Sequence, residues 1–388
     1  MNAAQPYRLH LMYVSYFSGK MQAYLRYKEI PHVCEEVRWG DFSSRIYANT
    51  GLMKVPVVET PEGQWLQDST PMIDWFEQRF PAGEVVPADP VQAFFCRLLE
   101  DYADEWLWRP ALHYRWSYPA DAHALSWIFV HSFIADLPGA KFFNAFLARE
   151  RQHRIYVRGD GVTRETRAHV ESVYLNTLDR LQAIFERQDF LLGDKPCLAD
   201  FGFFASMFRH FSEDPTPRQI MQTRAPAVNA WVARLWNARH SALSGSWAAP
   251  GTLPQGWLPL LRDAGEAYLP YLHANAGAWR DGRRRFDFSV QGTTYRKLPT
   301  VQYRAWCRER LQDHWDAVPA SHKPAVEKIL RETGCHEPLL RDGRIASNLH
   351  PPGATPPLCR PRAVGALERM QRWLIGTHWD TPARTQRG

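Results

Sequence analysis

The hydrophobic pattern of this 388-residue chain changes period across residues 81–90, and no other feature limits its fold as strongly. Ahead of that stretch, short apolar runs alternate with helical stripes. Residues 7–14 (YRLHLMYV) predict a buried strand. Residues 18–28 predict a helix with Met21, Tyr24 and Leu25 on one face and Ser18 as its N-cap. The run HVCEEVRW after Pro31 predicts a second strand. Residues 55–58 (VPVV) and 64–67 (QWLQ) predict a strand pair turning at Pro61–Gly63, and 69–79 predicts a helix stopped by Pro81 and Gly83. From about residue 90 to 240 strand signals nearly vanish. Helical patterns take over at 90–116 (kinked at Pro110), 121–151, 164–188, 198–212 and 226–239. The Pro/Gly-rich composition of 81–90 is that of a linker. The expected architecture is therefore a small α/β layer at 1–83 followed by an all-helical unit at 90–245.

A third segment, 250–388, exceeds what those two units need. It predicts a helix at 258–279, a hairpin around Gln291–Gly292, and helices at 300–316, 320–334 and 363–375. Trp306, Arg308, Arg310 and His314 fall on one amphipathic helix, whereas 349–362 is Pro-rich and irregular. Three roles stay open for this extension: a lid over a substrate groove, a replacement for a dimer contact, or a docking surface for a partner.

Composition excludes several classes. The balance of 47 basic against 41 acidic residues is mild for this length, so nucleic acid is not an expected partner. The short basic spots Arg283–Arg285 and Arg360/Arg362 read as solvated faces. Six cysteines lie scattered without CxxC or zinc spacing, so no metal is expected and a reducing, cytoplasmic setting is. The N-terminus lacks the apolar core of a signal peptide, and no run reaches the length of a membrane span. Sixteen Trp exceed the usual share and suit both core filling and flat apolar ligand surfaces.

The most specific cluster is Gly51-Leu52-Met53-Lys54-Val55-Pro56-Val57-Val58, with Asp68-Ser69 ten residues further on. Here the chain resembles the glutathione transferase superfamily over roughly residues 7–245. The resemblance implies a thioredoxin-like domain followed by a transferase-type helical domain. It also implies a cis bond at Val55–Pro56, which turns the Val55 N–H and C=O toward an extended cysteine-containing peptide. Asp68 would neutralise the γ-glutamyl ammonium of glutathione. The Ser69 hydroxyl and the helix it opens would take the adjoining carboxylate, and Lys54 could reach the glycyl carboxylate.

A free thiol, with a pKa of about 8.5, needs a hydroxyl donor and a helix N-terminus to ionise at neutral pH. In the family that donor ends the first strand or starts the first helix. Ser15 fits the serine-type pattern S-P-x-x-x-K that ends at Lys20, although Tyr16 replaces its proline. Tyr16-Phe17 ahead of Gly19-Lys20 offers a tyrosine-type alternative with a shortened loop, and Ser18 is a third candidate. The absence of cysteine here argues against mixed-disulfide chemistry.

The run Gly193-Asp194-Lys195-Pro196-Cys197-Leu198-Ala199-Asp200 resembles the family's second hallmark, a helix start with a capping box, but Cys197 stands where Ser or Thr is usual. Tyr102, Trp106 and Arg109 recur at helical spacing and are expected to line the wall against which an acceptor sits. His113 reads as a packed histidine. The resemblance implies glutathione as co-substrate, conjugation of its thiolate to an electrophilic apolar or aromatic small molecule, or the related cleavage of an ether or carbon–halogen bond, and a homodimer. The rival reading is a non-catalytic scaffold that acts through its extension.

Overall fold

In the computed structural model, residues 5–350 are described. The helix expected at 363–375 and most of the Pro-rich stretch, with Cys359, Arg360 and Arg362, lie outside the described residues. Strand Tyr7–Leu11 (β1) buries Leu9 and Leu11 completely. It pairs in parallel with His32–Glu36 (β2) and antiparallel with Val57–Glu59 (β3), and β3 pairs antiparallel with Trp65–Gln67 (β4). The sheet order is β2-β1-β3-β4. Tyr16–Tyr27 (α1) makes the crossover from β1 to β2. Short turns at Trp39–Asp41 (α2) and Tyr47–Thr50 (α3), joined by a π-turn at Phe42–Ile46, lead toward β3, and Ser69–Arg79 (α4) closes the unit against α1.

Helix α1 starts two residues earlier than its sequence predicts. Ser15 is the N-cap, with extended backbone and its Oγ accepting from the Ser18 N–H at 3.4 Å. Ser18 is buried inside the first turn, where its hydroxyl accepts from Met12 N–H.

The second unit begins with Pro90–Trp106 (α5) and Trp108–Ser117 (α6). Proline has no N–H to give the carbonyl four residues back, so the helix breaks at Leu107 rather than kinking at Pro110 itself. The single helix expected at 121–151 is two, Pro119–His131 (α7) and Lys141–Gln152 (α8), split by Pro138 and by Gly139 at φ +103°. Arg167–Phe185 (α9), Leu198–Ser206 (α10), Pro215–Arg224 (α11) and Pro226–Asn237 (α12) complete it, and α11 has no counterpart in the sequence reading.

Every residue of α10 is buried. A Cβ at Gly202 would lie 2.7 Å from the Glu100 Cα, so only glycine lets α10 lie this close to α5. Asp200 anchors the helix start. It accepts from Cys197 N–H at 2.9 Å, Leu191 N–H at 3.0 Å and Trp231 Nε1–H at 3.1 Å, and the Cys197 thiol donates to it at 3.3 Å. Burial pushes the Asp200 carboxyl up to about 6 against those bonds.

The extension is described as far as residue 350. Trp257–Asp263 (α13) passes through a π-turn at Ala264–Tyr268 into Leu269–Arg280 (α14). Arg285–Val290 (β5) and Thr293–Pro299 (β6) form the expected hairpin, its turn residues Gln291 and Gly292 both at positive φ. Gln302–Asp316 (α15), Lys323–Glu332 (α16) and His336–Leu340 (α17) follow. These elements lie along α5. Tyr268 donates to Asp101 at 2.5 Å, Trp315 packs edge-on to Phe94 with ring centroids 6.2 Å apart, and Arg304 reaches Asp160 at 3.1 Å and Glu105 at 3.5 Å. One buried apolar cluster runs from β1 to α17.

Between the first two units sits a buried ionic cluster. Lys20 Nζ, on α1, lies 2.5 Å from Glu100 Oε1 and also contacts Asp104, while Thr70 of α4 donates to Glu100 at 2.6 Å. Burial opposes the charge on Lys20, but Asp104 and Glu100 outweigh it and hold the ammonium protonated. Burial likewise opposes ionisation of Glu100, yet Lys20 and Arg310 hold it below the usual carboxylate range. Asp104 is the carboxyl that yields: burial raises it far above normal despite Lys20, and Glu100 adds to the rise.

Two stability outcomes follow from these contacts. Lys20→Met strands a buried carboxylate and lowers unfolding free energy by about 3–5 kcal/mol in denaturant titration. Cys197→Ser supplies a better cap acceptor and raises the melting temperature by about 1–3 °C. An unchanged or lower value counts against the capping assignment.

Candidate functional site

Three chain segments converge at one end of the sheet. The first is the bend before β3, where the Val55–Pro56 peptide bond is cis. Pro56 is buried, while Lys54 and Val55 keep partial access to solvent. The second is the junction of β4 and α4. Asp68 sits there at φ +76°, a left-handed backbone that costs a side-chain-bearing residue about 1–2 kcal/mol. Its Oδ1 accepts from Thr70 N–H at 3.4 Å and so caps α4, and buried Ser69 is the first helical residue.

The third segment was not anticipated. Tyr303, on α15 of the extension, donates its hydroxyl to Asp68 Oδ1 at 3.2 Å, and its ring lies 5.8 Å from Lys54 Nζ. Burial raises the Asp68 carboxyl, whereas the Tyr303 bond and the charges of Arg310, Lys20 and Lys54 pull it back. A tyrosine from outside the sheet thus meets Asp68 and Lys54, which adjoin Ser69 and the Val55–Pro56 bend in the chain. A helical run at 300–316 is visible in sequence, but 235 residues separate Tyr303 from Asp68 and no local signal links them.

At the N-terminus of α1 the two hydroxyl candidates part company. Tyr16 is buried and donates to the Ala103 carbonyl at 2.7 Å; burial, with Asp104 nearby, raises its pKa well above that of free phenol. Ser15 is half-buried and accepts from Ser18 N–H, which leaves its own proton to give. Beside it, Phe17 stacks on Trp108 with centroids 5.9 Å apart, and Trp108 meets Tyr156 edge-on at 6.0 Å. All three rings are half-buried.

The structure does not bring Tyr102, Trp106 and Arg109 to this end. Tyr102 packs on Phe203 and Tyr268, and Trp106 on Tyr268 and Tyr271. Arg109 donates to the Asp160 carbonyl at 2.9 Å and lies over Tyr295. The three spaced residues share a face of α5–α6, but the extension covers that face. Trp108 escaped the sequence reading because the break at Leu107 resets the helical phase. His113 is packed, between Ser117 at 2.9 Å and Glu171 at 3.0 Å. Among the described residues, no group of three His, Cys, Asp or Glu side chains could hold a metal ion, and no helix is long and apolar enough to cross a membrane.

A mixed four-stranded sheet with a cis-proline at one end of a central strand, continued by a helical domain, defines a thioredoxin-like unit joined to a transferase-type one. Residues 9–84 match the N-terminal domain of glutathione S-transferases, and residues 152–238 match their C-terminal domain. Those two segments belong to the glutathione transferase superfamily. Solved structures similar to this chain include a glutathione S-transferase from Methylobacterium radiotolerans in complex with glutathione sulfonate, at 18% identity over 60% of this chain and 91% of that one, TM-score 0.38. A glutathione S-transferase from Rhodospirillum rubrum shares 17% identity over 65% and 97%, TM-score 0.41. A beta-etherase from a Sphingobium species shares 20% over 60% and 95%, TM-score 0.43. No curated protein matches the chain.

The buried acids under the extension set a pH dependence. Burial pushes Asp101 up to about 7 in spite of its bond from Tyr268. Between the ordinary aspartate value and 7, the folded chain keeps a proton that the unfolded chain releases, so this group's contribution to stability falls as pH rises through that window. Asp101→Asn removes the titration. The difference in unfolding free energy, variant minus native, rises by up to about 4 kcal/mol from about pH 4 to 7. A pH-independent difference contradicts the assignment.

Proposed function

We propose that this chain binds glutathione and transfers its sulfur to an apolar or aromatic electrophile. The observation that carries the reading is the shared location of the cis Val55–Pro56 bend, Asp68 and the Ser15-capped N-terminus of α1. In this reading the γ-glutamyl ammonium faces Asp68. The adjoining carboxylate meets Ser69 and the N–H groups that open α4, where the helix dipole favours an anion. The cysteinyl backbone pairs with Val55, and Lys54 is within the same cluster for the glycyl end. The sulfur points to Ser15, whose proton and helix terminus stabilise the thiolate. That thiolate attacks the electrophilic carbon, the leaving group departs with its bonding pair, and the thiol proton passes to solvent. Phe17, Trp108 and Tyr156 supply a flat apolar wall for the acceptor.

The contribution of the protein is thiolate stabilisation and positioning, not a covalent enzyme intermediate. Ser15→Ala is expected to raise the thiol pKa of bound glutathione by about 1–2 units, read from thiolate absorbance, with binding changed by less than about threefold. Asp68→Ala is expected to weaken glutathione binding by about tenfold or more in calorimetry. Native glutathione affinity also falls as pH drops through the raised Asp68 pKa, because only the carboxylate pairs with an ammonium. Unchanged thiol pKa in Ser15→Ala removes that residue from the role.

One observation favours the scaffold reading: the Tyr303 hydroxyl already occupies the Asp68 carboxylate. If the extension holds the ammonium seat closed, the native chain binds no glutathione and Tyr303→Phe gains binding without turnover of a generic aromatic electrophile.

A further inference from the structure

Helix α8 turns an apolar face to water. Phe142, Phe143, Phe146 and Leu147 are 70, 52, 57 and 48% exposed, and Ala145 is the buried residue that ties the helix down. Among the described residues the other exposed large hydrophobic side chains are Tyr13, Val33 and Ile128, and Ile128 stands on α7, against which α8 packs. At about 100° per residue the four α8 side chains span an arc of about 140°. A clustered apolar arc of this kind marks a binding surface rather than stray exposure.

The charges around the arc identify what it meets. Arg149 borders Phe142 at one edge and Arg151 borders Leu147 at the other. Lys141 precedes the arc, and Arg154 and Arg158 follow it. Glu150, one turn beyond Phe146, projects within the arc and is exposed, and it is the single acid between residues 141 and 158. A second copy of this face would set basic flank against basic flank. Residues 351–388 carry six arginines against Glu368 and Asp380, so they repel it too. A convex helix flanked by arginine matches a surface that is negative and deformable.

From these observations we infer that α8 is a docking face for an anionic lipid bilayer. The helix lies in the membrane plane, its phenylalanines at the boundary between headgroups and acyl chains and its arginines on lipid phosphates. The contact is peripheral, since a single anchored helix face enters the bilayer.

Sedimentation of the full chain with vesicles tests this. Partition onto mixed phosphatidylcholine–phosphatidylglycerol vesicles is expected to exceed that onto phosphatidylcholine alone by about tenfold or more and to weaken with added salt. Phe142→Ser combined with Phe146→Ser is expected to lose about tenfold or more of that partition. Both side chains point to water, so the far-ultraviolet spectrum and melting temperature should hold. Equal sedimentation with and without anionic vesicles overturns the inference, as does a double variant that binds like the native chain. A native chain that self-associates through this face, with the association abolished in the double variant and no vesicle binding, also overturns it and makes α8 a contact between copies.

Discussion

Lys20 is the charge on which the arrangement of this molecule turns. Its ammonium lies in a region closed to water, and it survives there because Glu100 and Asp104 of α5 reach it together with Thr70 of α4. Those contacts fix α1 against the helical domain and α4 against both. Ser15 caps α1 and Asp68 caps α4, so one buried cation sets the spacing between the two ends of the candidate site. Gly202 lets α10 press on the same stretch of α5 from behind, which leaves Glu100 little freedom to turn away.

The extension adds a second layer to the same logic. Its cations and phenols complement the acids of the first two units: Tyr303 with Asp68, Arg310 with Asp74, Tyr268 with Asp101, Arg304 with Glu105 and Asp160. Buried acids of this kind are costly when alone and tolerable when bonded. The extension is therefore part of the solvation of α4 and α5, and the outward face of α5 is no longer a surface. That explains why Tyr102, Trp106 and Arg109 are covered, while Phe17, Trp108 and Tyr156 keep partial access to solvent.

Much of the polypeptide's local structure was legible because its causes are local. The strand patterns at β1 and β2, the hairpin turn at Gln291–Gly292 and the start of α10 follow from periodicity, turn chemistry and capping within a few residues. Errors cluster where a local rule has two outcomes. Ser18 is the cap expected from the sequence, but the helix starts at Tyr16 with Ser15 as its cap, and Tyr16 in its first turn is buried against the Ala103 carbonyl. Pro110 was known to interrupt a helix, but whether it kinks or ends one depends on what packs at Leu107. Phe142, Phe143, Phe146 and Leu147 lie inside the helical pattern at 121–151, and nothing in the sequence shows that no core meets them.

By itself the sequence determined the kinds of unit present, the place where one gives way to the next, and the residue types at the bend before Pro56 and after Gln67. Tertiary structure alone decided which side chains meet. It put a tyrosine of the extension on Asp68, hid three residues expected at a pocket and left four apolar side chains of α8 exposed. The physical reason is range. Propensity, periodicity and capping act over a few residues and are written in order, whereas burial and ion pairing depend on what the far end of the chain brings to the same place.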